Sequence, residues 1–124
     1  MVIRIKDNSE VPIYLQLRNQ IVAGISDGRL RPGEHLPPVR VLAGEIGINA
    51  MTVNKTYQML RQEGFIEIDR RHGARVCDRS GAPELSPARL EQLEALAAEA
   101  KARGMGREDF LALCAKVYGE EEGK

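Results

Sequence analysis

The sequence predicts a mainly α-helical fold with one small β-hairpin, and three observations carry that reading. A short amphipathic stretch opened by Pro38, with Val39, Leu42, Ala43 and Ile46 inward, is stopped by Gly47 and followed at once by a second, roughly Ala50 to Gln62. Two alternating segments, Phe65 to Asp69 and Ala74 to Cys77, flank the basic turn Arg70-Arg71-His72-Gly73. Beyond a polar stretch, two further apolar stripes recur at helical spacing. Two helices joined by a tight glycine turn and followed by a hairpin with a basic tip form a winged helix-turn-helix. The remaining stripes form a short two-helix tail.

Each element has its own signal. Residues 2–6 alternate and fit a short strand or an arm. Pro12 opens the first helix, because a proline's missing N–H is unpaired there in any case. Tyr14, Leu17, Ile21 and Ile25 make its apolar stripe, and Gly28 stops it. Arg29 to Glu34 reads as a turn-rich link bent at Pro32-Gly33. Asn49 is a good N-cap for the third helix, since its side-chain oxygen can accept from a free first-turn amide. A breaker-rich linker, Asp78 to Pro83, separates two regions, residues 1–79 and 80–124. Ser86-Pro87 then opens a helix, Gly104-Met105-Gly106 breaks it, and a last stripe follows.

Composition excludes several classes. At 124 residues the chain suits one domain with an appendage rather than two full cores. No run of 18 apolar residues is present and residues 1–7 lack a leader pattern, so a cytoplasmic protein without membrane contact is expected. Cys77 and Cys114 stand in no metal-ligand spacing, and His35 and His72 are the only histidines, so neither metal nor cofactor is expected. Paired structural thiols are the plain reading of the cysteines; a redox role is the other. No nucleophile–base arrangement, phosphate loop or catalytic lysine motif is visible, so the chain does not read as an enzyme. Net charge is zero, yet residues 1–79 carry 12 Lys/Arg against 9 Asp/Glu, and residues 80–124 carry 6 against 9. A mildly basic front and an acidic tail suit a DNA-facing domain with a partner-facing appendage.

With Val53, Tyr57 and Leu60 inward, Met51, Asn54, Lys55 and Gln58 project from the opposite side of the third helix. Asparagine and glutamine can pair with adenine, lysine with guanine or phosphate, and methionine can touch a thymine methyl. A generic solvated helix face is the competing account. Arg40 is placed in the first turn of helix two, near Asn49 and Thr52, with an ion pair to Glu45 as the alternative. Thr52 can donate to a phosphate or make a local capping bond. Arg70, Arg71, His72 and Gly73 form a compact cationic tip that either reaches a DNA groove or is a solvated turn. In the tail, Leu90, Leu93, Leu96, Ala97, Phe110, Leu111, Cys114 and Val117 are the expected dimerisation residues, because two such helices cannot bury their apolar faces alone.

Residues 12–77 resemble the DNA-binding domain of the GntR family of bacterial transcription regulators. The resemblance runs through Pro12-Ile13-Tyr14, Leu30-Arg31-Pro32-Gly33, Leu36-Pro37-Pro38-Val39-Arg40, Leu42-Ala43, Gly47-Ile48-Asn49, Thr52-Val53, Tyr57, Leu60, Glu63-Gly64 and Gly73. The short tail resembles the YtrA branch. This resemblance implies a homodimeric repressor on a near-palindromic double-stranded operator, with Arg40, Thr52 and Gly73 at the family's DNA-contacting positions. It suggests control of a transporter operon. Ala50 and Asn54 stand where many relatives carry arginines, so the operator sequence does not transfer. Pro38 replaces a more usual small residue. A winged-helix protein-interaction module without specific DNA binding is the alternative function. The sequence leaves any small-molecule effector unidentified; with no room for an enclosed pocket in one tail, a ligand would sit at the dimer interface or between tail and DNA domain.

Overall fold

A computed structural model describes residues 2–78 and 84–119. The chain divides into two compact units, Met1–Gly81 and Ala82–Lys124. The expected linker lies, apart from Asp78, outside the described residues.

The first unit is built on three helices, α1 (Ile13–Ser26), α2 (Val39–Ile46) and α3 (Ala50–Gln62). Pro12 and Pro38 each sit one residue earlier than the sequence suggests, as N-caps with φ of −56° and −57° and extended ψ. Their carbonyls accept the first helical hydrogen bonds, Leu15 and Gln16 to Pro12 and Leu42 to Pro38. Leu17 and Ile21 of α1 and Leu42 and Ala43 of α2 face Val53, Tyr57 and Leu60 of α3 in one core. Gly47 closes α2 at φ 74°, a left-handed turn open to glycine at no steric cost, and Asn49 then caps α3 by accepting from the Met51 amide at 2.6 Å. That short connection makes the helix-turn-helix.

The hairpin follows directly. Strand β1 (Ile66–Asp69) pairs antiparallel with β2 (Gly73–Val76) in the register Ile66 to Val76 and Asp69 to Gly73. Ile66, Ala74 and Val76 are buried, so one face closes the helical core. The three-residue loop between the strands returns through Gly73 at φ 74°, a position that favours glycine in this kind of hairpin.

Two segments gain partners that their sequence reading did not include. The turn-rich link bends at Pro32-Gly33 as expected, and residues 33–36 then pair with the free edge of β2. Gly33 donates to Val76 at 2.8 Å, Val76 to Glu34 at 2.9 Å and Leu36 to Ala74 at 2.9 Å. An isolated two-stranded hairpin is marginal in water, and this third stretch satisfies the exposed ladder. Of the two expected alternatives, residues 2–6 form the arm. Their ladder is supplied by side-chain amides of α1: Arg4 and Lys6 N–H donate to Gln20 and Gln16 at 2.9 and 2.8 Å, and both glutamines donate back to the same residues' carbonyls. Ile3 and Ile5 pack against the core.

The second unit is a helical hairpin of α4 (Pro87–Ala102) and α5 (Arg107–Tyr118). Ser86 caps α4, with Pro87 in its first turn as the sequence suggests. Glu108 and Asp109 in the first turn of α5 complement its positive dipole end. Ala100 is the one buried residue among those described here. Neither Cys77 nor Cys114 forms a disulfide among the described residues, which corrects the expectation of a pair.

Candidate nucleic-acid interface

The outer face of α3 is set by its inner one. Val53, Thr56, Tyr57 and Leu60 are buried, and the helical period therefore turns Met51, Asn54 and Lys55 to solvent with Gln58 half-buried beside them. Thr56 was not legible as an inward residue, because threonine patterns as polar. Its hydroxyl donates to the Tyr14 carbonyl of α1 at 2.9 Å, which satisfies the buried oxygen. Tyr57 donates its phenol to the Pro37 carbonyl at 2.7 Å. Burial, aided by the nearby Glu45 carboxylate, pushes that phenol well above its usual range, so it remains a neutral donor.

Arg40 is exposed in the first turn of α2. It surrounds a shallow hollow of about 370 Å³ with Val39, Ala50, Met51, Asn54 and Lys55. Arg40 thus stands beside the first turn of α3, whose Ala50 and Met51 lie between Asn49 and Thr52 in the chain. Thr52, one turn before Thr56, is half-buried. Among the described residues no ion pair joins Arg40 to Glu45. A second hollow, of about 440 Å³, separates α3 from the hairpin and is lined by His35, Pro37, Pro38, Asn54, Gln58 and His72 among others. Asn54 borders both hollows, and its side-chain amide has no partner among the described residues.

Three other candidate side chains, Asn49, Gln58 and Lys55, are already engaged. Asn49 uses its carbonyl oxygen as the α3 cap. Gln58 accepts from Arg61 at 3.1 Å. Lys55 holds its ammonium 3.8 Å above the centre of the Tyr14 ring, a cation–π contact that sequence spacing gives no means of finding. Met51 is 79% exposed, with its thioether free to make apolar contacts.

At the hairpin tip Arg70, Arg71, His72 and Gly73 are all exposed. Asp69 organises them: one carboxylate oxygen accepts from the Arg71 amide at 2.7 Å and the other lies 3.2 Å from His72 Nδ1. The Arg71 hydrogen bond, seconded by His72, holds the Asp69 carboxyl below the usual carboxylate range. The tip is therefore a cationic loop on an acidic hinge, a signal available in the sequence as an aspartate two residues before a turn amide. Arg75 pairs with Glu67 across the strands, leaving Arg70 and Arg71 as the outward cations.

In the second unit Leu90, Leu93, Leu96, Leu111 and Val117 are exposed, and Ala97, Phe110 and Cys114 are half-buried. The expected stripe divides over two faces. Leu93, Leu96, Phe110, Cys114 and Val117 border a groove of about 470 Å³, while Ala97 and Leu111 border another of about 490 Å³. Leu113 and Tyr118 also line the first groove and were missed, although Leu113 lies three residues after Phe110. Among the described residues no helix is long and apolar enough to cross a membrane, and no group of three His, Cys, Asp or Glu could hold a metal.

Two crossed helices, a capped outward-facing third element and a flanking hairpin define a winged helix-turn-helix protein. Residues 13–76 match the profile of bacterial regulatory proteins of the gntR family, and the chain belongs to that family. It is 30% identical over 105 residues to the uncharacterized HTH-type transcriptional regulator YhcF of Bacillus subtilis (strain 168), covering 83% of this chain and 87% of the relative. It is 40% identical over 76 residues to the HTH-type transcriptional repressor YtrA of the same strain, covering 61% of this chain and 58% of that repressor. The HTH-type regulator Rv1152 of Mycobacterium tuberculosis is 38% identical over 71 residues, 57% of this chain and 59% of its own length. The chain thus spans less than two thirds of two of these relatives. Among solved structures, YtrA from Sulfolobus acidocaldarius, a GntR-family transcription factor, superposes with a TM-score of 0.65 at 35% identity over 80% of this chain and 99% of that one. A transcriptional antiterminator from Listeria monocytogenes EGD-e superposes with a TM-score of 0.84 at 26% identity over 94% of this chain and 90% of that one. These likenesses place the chain in the YtrA subfamily.

Proposed function

We propose that this protein is a sequence-specific DNA-binding transcriptional regulator, a homodimeric repressor of a bacterial operon. The observation that carries the reading is the outward face of α3, where Asn54 and Met51 stand unpartnered beside exposed Arg40. In this reading α3 enters the major groove, Asn54 and Gln58 read base edges, Met51 touches a thymine methyl, and Arg40 pairs with a guanine or a phosphate. Asn49 contributes its amide nitrogen and Thr52 its hydroxyl near the helix start. The wing, Arg70 to Gly73, follows the neighbouring minor groove. The repressor names carried by relatives such as YtrA support the direction of control.

The exposed apolar side chains of α4 and α5 support the second half of the proposal. A second copy covering Leu90, Leu93, Leu96, Ala97, Phe110, Leu111, Cys114 and Val117 sets two winged helices on successive half-sites of a near-palindromic operator. Control of a transporter operon by a promoter-blocking dimer follows the YtrA likeness. The test is selection of bound duplexes from a random pool. Enrichment of a two-fold-related motif supports the reading, and recovery of no common motif counts against it.

A further inference from the structure

Lys55 and Thr56, adjacent on α3, both grip one residue of α1. Thr56 Oγ1 donates to the Tyr14 carbonyl at 2.9 Å, and Lys55 Nζ lies 3.8 Å above the Tyr14 ring. The first bond fixes the backbone of Tyr14 against α3. The second uses that fixed ring as a platform for a cation. A free lysine head sweeps a wide volume on a flexible stem, so a platform that restricts it removes much of the ordering cost of binding.

The platform also selects what the cation meets. Asn54 and Gln58 line the hollow beside the hairpin, while Lys55, which also borders the hollow around Arg40, holds its ammonium over the Tyr14 ring of α1. A helix lying in a major groove presents its centre to base edges and its two flanks to the two bounding phosphate strands. A lysine drawn to the α1 flank therefore faces phosphate.

We infer that Tyr14 is a positioning residue for DNA binding, holding Lys55 as a phosphate clamp and taking it out of base readout. This rests on the DNA-binding reading above. Lys55 then contributes affinity without sequence preference, and the choice of base falls to Asn54, Gln58, Met51 and Arg40.

The test is a double-mutant cycle on a selected duplex, read by fluorescence anisotropy over a series of salt concentrations. Lys55→Met is expected to weaken binding to matched and mismatched duplexes alike and to reduce the salt slope by about one. Tyr14→Leu is expected to weaken binding about two- to fivefold, the range of an exposed cation–π contact, with the slope unchanged. The double variant is expected to bind like Lys55→Met alone, and Tyr14→Phe, which keeps the ring face, like the wild type. Without DNA, the Lys55 ε-methylene proton resonances are expected upfield in the wild type and Tyr14→Phe but not in Tyr14→Leu. Additive losses in the cycle, an unchanged slope in Lys55→Met, or ordinary methylene shifts in the wild type overturn the inference while leaving the DNA-binding reading standing. Absence of duplex binding by the wild type overturns both.

Discussion

The Tyr57 phenol of α3 donates to the Pro37 carbonyl at 2.7 Å, so the third helix is fastened directly to the segment that opens α2. Arg40 lies three residues after Pro37, and its position relative to Met51 and Asn54 depends on that fastening. Tyr57→Phe removes the donor and leaves a carbonyl without its partner. It is expected to lower stability by about 1–2 kcal/mol, checked by urea unfolding, since an unmade buried hydrogen bond costs on that scale.

Arg40→Ala is expected to weaken binding to a selected duplex by roughly 1–3 kcal/mol, the scale of one good base contact. Arg40 is exposed with no ion pair to Glu45, so the unfolding midpoint is expected to stay where it is. Gel-shift titration at fixed salt checks the first effect and thermal unfolding the second. A large drop in stability with unchanged affinity would assign Arg40 to the fold.

Removal of residues 84–124 takes away the exposed apolar faces of α4 and α5. The remaining chain is expected to sediment as a monomer and to bind a half-site weakly. An intact dimer in sedimentation would free the tail from that role.

Acid is expected to loosen the wing before the core. The Asp69 carboxyl is held below its ordinary value of about 3.9 by the Arg71 amide and His72. A depressed carboxyl contributes order that is fully present above the unfolded value and is lost as pH falls through the folded one. The Arg71 amide resonance is therefore expected to hold its position down to about pH 4 and to shift below it. Asp69→Asn, which keeps an acceptor but no charge, is expected to abolish that acid transition in an NMR titration.

Much of the fold was legible because its signals are local. Gly47, Asn49 and the Leu42-Ala43 pair mark the helix-turn-helix through turn, cap and period, and the structure places α3 over Ala50–Gln62 as read. Contacts between distant segments were not legible. The pairing of residues 33–36 with β2 depends on a free strand edge that exists only after the hairpin forms. The glutamine clamp on residues 4 and 6 and the Lys55–Tyr14 contact join positions 10 to 41 residues apart. Of the candidate site, the outward face of α3 followed from its period alone. The neighbours of Arg40 did not, because they depend on how α2 crosses α3.

The most direct measurement compares, at one fixed salt concentration, the affinity of this chain for its selected duplex and for the same duplex with both half-sites scrambled. Sequence-specific regulation requires the selected duplex to bind at least about a thousandfold tighter. Equal affinities for the two duplexes would contradict the account.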